Sequence, residues 1–318
     1  MKKNLFFVVF CLFFLSCEKK NKIENTVSAI PLEVKVARFD KIFFETSPKD
    51  LDKVKKEFPF FFPVGNDNSV WLNKMQDPIW RELYTEVQKK YADFEPEKME
   101  LESLFKHIKY YFPQTKTPKV ITIISEMDYK NKIIYADSLV IISLELYLGK
   151  NHKFYQFPNY IKQNFEQRQI MPDVVSSFSL RKIAPVTDKN MLSQMIYFGK
   201  QLYLKDLLLP NYTDAEKMGY IPEQIKWCEE NESYMWRYFI EKEMLYSDDQ
   251  KLIPRFINPA PFSKFYLEID NESPGQVGVW IGWQMVRSYM KNNEVAIADL
   301  LKTDAKEIFM KSKYKPKK

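Results

Sequence analysis

The sequence predicts an α+β fold, a small β-sheet with a mainly helical C-terminal half. The prediction rests on an alternating run at Leu32–Phe39, short β-rich runs between Lys119 and Leu146, and amphipathic stripes at helical spacing that dominate from Asn190 onward. Of the 318 residues, 45% are hydrophobic and 16% aromatic, which excludes a disordered or collagen-like polymer. The seven glycines are dispersed, so no GxGxxG or GxxxxGK[ST] loop for cradling phosphate can be read. The formal charge of +6 is a mild excess that gives no argument for nucleic acid.

Residues 1–16 read as a signal peptide: Lys2 and Lys3 precede an apolar run, Leu5 to Leu15, too short for the about 20 residues a membrane span needs. The run ends in Phe14-Leu15-Ser16-Cys17, which looks like a bacterial lipobox, so Cys17 is expected to become the acylated mature N-terminus. Cys11 leaves with the signal and Cys228 remains alone, so no internal disulfide is expected. Residues 17–31 then read as the lipidated cysteine and a polar tether, and 32–318 as one α+β domain without linker or repeat.

Within that domain, Leu32, Val34 and Val36 alternate with polar residues as in a half-buried strand. Prolines 59 and 63 break any pattern around Phe58–Phe62, which reads as an aromatic plug over a core edge rather than a binding groove. Asp77-Pro78 supplies an N-cap and a proline at N1 for a helix carrying Ile79, Leu83 and Val87. A second helix follows through Leu101, Leu104, Phe105, Ile108 and Phe112. Lys119–Ser125, Lys132–Ala136 and Ser138–Leu146 read as a meander.

The helix after Asn190 shows Leu192, Met195, Ile196, Leu202, Tyr203 and Leu207 on one face, with Gln194, Gln201 and Lys205 opposite, and stops at Pro210. Another runs through Tyr234, Met235, Tyr238 and Phe239. In Ser273–Tyr289, Ser273 is expected to cap and Pro274 to open a buried helix whose Gly278 and Gly282 admit a neighbouring backbone.

Together with the lipobox, the segments Met195–Lys200, Trp227–Glu232, Ala260–Phe265 and SPGQVGVWIGWQMVRSYM at 273–290 resemble the gliding-motility lipoprotein family GldB of Bacteroidetes. The resemblance covers essentially the whole chain. It implies an envelope lipoprotein supporting the gliding machinery, which in these bacteria is linked to a protein-secretion system, with other envelope proteins as partners. The body is expected in the periplasm, on the inner or the outer membrane. The family is similar to predicted zinc-dependent proteases, whose Pro-Gly-x-x-Gly segment is echoed by Pro274–Gly282. Those relatives carry HExxH where this chain has its 190–209 helix, and zinc hydrolysis needs both histidines and the glutamate between them.

The helix here has neither His nor Glu. The resemblance therefore implies a degenerate zincin-like scaffold, a pseudopeptidase with no cofactor, no metal ligand and no catalytic residue. The only histidines are far apart: His107 is expected as a surface or capping residue and His152 in a loop after the sheet. Glu232 aligns loosely with a downstream ligand position, and with Glu229 and Glu230 it reads as a solvated face rather than a Ca²⁺ or Mg²⁺ site. The Lys311, Lys313, Lys315, Lys317, Lys318 tail reads as a solvated end, its sharper alternative being attraction to anionic lipid. The expected role is a lipid-anchored interaction or assembly factor. The alternative is a hydrolase or binder of peptide or glycan that retains the ancestral cleft.

Overall fold

The structure, a computed structural model, describes residues 22–317, so the signal peptide, Cys17 and Lys318 lie outside it. Residues 22–28 form a helix, α1, and the expected tether is therefore corrected from Lys22 onward. Ile23, Val27 and Ile30 recur at helical spacing, and Val27 is only 2% exposed. The first strand shortens to β1 (Val36–Arg38), because Arg38 turns back to clasp Asp40 with a bidentate pair (2.9 and 2.7 Å) and the chain enters α2 (Phe39–Glu45).

Four helices follow. α3 (Leu51–Glu57) precedes the aromatic segment, which buries Phe58 and Phe62 but leaves Phe60 exposed. α4 (Asn68–Gln76) is capped by Asp67. In α5 (Pro78–Tyr91) the expected cap is present, Asp77 Oδ1 accepting from Ile79 N at 2.9 Å and Trp80 N at 3.1 Å. Leu83, Val87 and Tyr91 face the core while Ile79 stays exposed. α6 (Glu95–Tyr111) buries Leu101, Leu104, Phe105 and Ile108, as its stripe predicts.

The remaining strands are β2 (Lys119–Ile123), β3 (Ile133–Ala136) and β4 (Leu139–Ser143). They do not form a meander: the order is β1-β2-β4-β3, with β1, β2 and β4 parallel and only β3 antiparallel. The physical reason lies in the links. Asp137-Ser138 closes β3 tightly onto β4, whereas 124–132 is long enough to carry the chain past β4's position. Val120, Ile121, Val140 and Ile142 are buried in near-continuous apolar runs, the pattern of interior parallel strands.

After α7 (Asn159–Lys162) and α8 (Ile170–Ser179) comes α9 (Met191–Leu208), capped by Asn190 through Ser193 N at 2.9 Å. Then follow α10 (Asp214–Met218), α11 (Pro222–Glu230), α12 (Glu232–Glu241), α13 (Leu252–Phe256), α14 (Val277–Asn292), α15 (Ile297–Leu300) and α16 (Ala305–Ser312). The core has two parts, one around the sheet with α2, α5, α6 and α8, the other around α12, α13 and α14. α9 joins them, placing Leu204 and Leu208 in the first and Met195 and Ile196 in the second.

α9 is therefore enclosed on nearly every side, and the expected solvated face is corrected: Gln201 and Lys205 are buried. Against α14 the close approach is as predicted, since a Cβ on Gly199 would lie 2.5 Å from Gly282 C. α14 starts at Val277, not after Ser273, because Gln276 takes the left-handed conformation (φ 64°). Ser273 instead ties down the preceding loop, accepting from Ser263 N and donating to Asp270 O.

Candidate functional site

A cleft of about 500 Å³ lies where edge strand β3 faces α8 and the middle of α9. The sheet supplies Lys132, Ile134 and Tyr135; α8 and the turn after it supply Asp173, Ser177 and Leu180. From α9 come Phe198 and Gln201. Strand alternation explains the polarity, since Ile133 and Tyr135 point into the core while Ile134 is exposed, with Leu180 on the facing rim. The outward N–H of Tyr135 donates to Ser177 Oγ at 2.9 Å, so this edge is partly covered.

The polar floor is an ion pair, Lys132 Nζ with Asp173 Oδ2 at 2.5 Å, and Tyr147 OH donates to the same oxygen at 2.9 Å. Two buried polar atoms among the lining residues, Tyr135 OH and Gln201 Nε2, have no partner. Each is a hydrogen-bonding group removed from water without compensation. A smaller cleft of about 330 Å³ shares Lys130 and Lys132 with the first and continues past Tyr160 and Tyr220 to Ala260, Gly275 and Gln276.

The ionisable groups of α9 are committed elsewhere. Lys200 Nζ donates to Thr303 O at 2.6 Å and Lys205 Nζ to Lys217 O at 2.8 Å, and burial pushes both ammonium groups down to about 8. Asp206 accepts from Arg287, Lys217 and Trp283 Nε1. Arg287 also forks onto Asp214 at 2.7 and 2.8 Å. This closed network holds α9, α10 and α14 together. The Pro274–Gly282 echo likewise serves packing: Tyr220 OH donates to Gly275 O, and Ser263 Oγ donates to Pro274 O at 2.8 Å.

The residues singled out from sequence scatter across the molecule. His107 is buried, contrary to expectation, because α1 covers it; its Nδ1 donates to Ser103 O at 2.8 Å and its Nε2 lies 3.3 Å from Glu24 Oε1. His152 sits in a loop, as predicted, 3.4 Å from Glu86 Oε2. Glu232 is buried rather than solvated, accepting from Tyr314 OH at 2.8 Å, whereas Glu229 and Glu230 are exposed as expected. Cys228 is buried, and burial raises its thiol pKa, which suppresses the thiolate.

Among the described residues no group of three His, Cys, Asp or Glu side chains is placed to hold a metal ion. None of their helices is long and apolar enough to cross a membrane. Sequence reasoning missed Tyr135, Asp173 and Ser177, which come together from segments remote in the chain and carry no local signal of their shared cleft. The family described as Gliding motility protein GldB matches residues 20–316. No curated protein and no solved structure matches the chain.

Proposed function

Because the chain belongs to the GldB family of gliding motility proteins, we propose that it is an envelope lipoprotein, anchored through Cys17, that supports the motility machinery by binding rather than by catalysis. The observation that carries the proposal is the content of the β3–α8–α9 cleft. Its walls offer a partly covered strand edge and exposed apolar rims at Ile134 and Leu180, beside the buried and unpartnered Nε2 of Gln201. Such a surface suits recognition of an extended segment of another envelope protein. Nucleophilic catalysis needs a base hydrogen-bonded to a nucleophile, and in the cleft's Lys132–Asp173 pair the carboxylate oxygen Oδ2 is engaged by Lys132 and by Tyr147 OH, with no serine or cysteine bonded to it.

On this reading the fold is a peptidase-like scaffold of the zincin kind whose helix α9 has exchanged metal ligands for packing groups. The reading is supported by the Lys200, Lys205 and Asp206 bonds, which spend α9's charges on its neighbours.

The test uses the full chain expressed in its gliding host from its own locus. Cys17→Ala is expected to release the chain from the membrane fraction and to stop gliding. Ile134→Asp with Leu180→Asp is expected to leave the amount of protein unchanged while abolishing gliding and cross-links from the cleft to an envelope protein. Normal gliding by the cleft variant overturns the assignment of the cleft. Membrane retention of the Cys17 variant overturns the anchor.

A further inference from the structure

A separate cavity of about 400 Å³ opens at the carboxyl ends of β1 and β2. β1 runs out into Phe39 and Asp40, and β2 into Ile124, Ser125 and Glu126, all of which line it. Glu145, just beyond the end of β4, accepts from Ser125 Oγ at 2.5 Å directly behind that wall. In open sheets built on parallel strands, this end is where loops leave space for ligands. The volume falls near the lower end of the roughly 300–1,000 Å³ typical of small-molecule sites.

We propose that this cavity binds a small amphipathic carboxylate, its apolar body among the rings of Phe39, Phe43, Phe61 and Phe62 and its head group on Lys74 and Trp71. Six aromatic rings line the space, a wall that suits a ring or short chain and rejects a strongly hydrated molecule. Its polar groups are unequal in availability. Asp40 is buried and saturated by Arg38, Gln88 and Thr122, so it has nothing left to offer a ligand.

Lys74 is the one basic side chain in the lining. Its Nζ rests 3.7 Å over the Trp80 ring and 3.6 Å from Glu126 Oε1, and the Glu126 side chain is 81% exposed, a partner easily displaced. Trp71 Nε1 is buried with no acceptor, and an indole N–H can only donate. A carboxylate supplies acceptors to both donors. The nearby Glu145 opposes it less than an ordinary glutamate would, because burial pushes that carboxyl up to about 7.

Calorimetric titration of the full chain in lipid nanodiscs with 4-phenylbutanoate, 4-phenylbutanol and 4-phenylbutylamine tests the proposal. The acid is expected to bind with one site per chain, the alcohol at least about tenfold more weakly, as loss of a charge-assisted hydrogen bond implies, and the amine not at all. Lys74→Met should weaken the acid by a similar factor, Lys74→Arg should retain it, and Glu126→Gln should tighten it by freeing the ammonium. No saturable heat with the acid, equal affinity for acid and alcohol, or indifference to Lys74→Met in a folded variant overturns the proposal. Should Lys74→Met fail to fold, unchanged binding in Glu126→Gln overturns it instead.

Discussion

Lys200 and Lys205 show how a polar residue at helical spacing escapes a pattern-based reading. Lys205 lies on the face that the sequence marks as solvated and Lys200 is assigned to neither face, yet each carries its ammonium inward to a carbonyl of a later segment, Lys217 or Thr303. Long-range partners of this kind leave no local trace in the sequence. Burial holds both groups down at about 8 instead of the usual 10.5, so between those values the unfolded chain binds more protons than the folded one. Stability is therefore expected to rise as pH climbs from about 8 toward 10.5, by at most about 1.4 kcal/mol per pH unit for each lysine. Urea unfolding at pH 8 and 9.5 checks this. Lys205→Met should remove about half of the rise, and an unchanged slope would show that Lys205 does not contribute. The same blindness explains His107 and Glu232: their neighbours Glu24 and Tyr314 lie far away along the chain.

Elements whose own residues carry the signal were legible, and those defined by a neighbour were not. Asp77-Pro78 names the start of α5 because cap and proline both act locally, and four of the five stripe residues read for α6, Leu101, Leu104, Phe105 and Ile108, are on its buried face, which Glu97 and His107 share. The small-residue ridge of α14 was equally readable, since Gly278 and Gly282 have no other use in a helix that loses stability from each glycine. Strand order was not readable: nothing within Leu139–Ser143 says that it will insert beside β2. The α9–α14 contact supplies the sharpest test at this scale. A methyl on Gly282 would collide with the Met195 carbonyl, and rigid backbone on both sides cannot yield. Gly282→Ala is accordingly expected to destabilise by about 3 kcal/mol or more, read from urea midpoints, whereas an exposed alanine substitution such as Lys226→Ala should cost less than about 0.5 kcal/mol.

At the scale of the whole molecule, α9 makes two cores behave as one. It contributes Leu204 and Leu208 to the sheet side and Met195 and Ile196 to the helical side, so neither core keeps its packing if the helix leaves. Unfolding is expected to be a single transition, with tryptophan fluorescence and far-ultraviolet circular dichroism superimposing. Leu204→Ala should shift both curves together by about 2–5 kcal/mol, and separation of the two would show independent halves. The α+β class was legible from composition and periodicity, but the cleft was not, because it is made by bringing β3, α8 and α9 together from remote parts of the chain. The docked first helix has a mechanical corollary. α1 is fastened to α6 by Val27 burial, by Glu24 beside His107 and by Lys106 on the Ser28 carbonyl. With the lipid proposed at Cys17, the five Cα steps from there to Lys22 at the start of α1 reach at most about 18 Å. The protein would then ride close to the bilayer with its α1–α6 flank held near the head groups, a moored hull rather than a kite, and its partners would have to approach from the sides left facing outward.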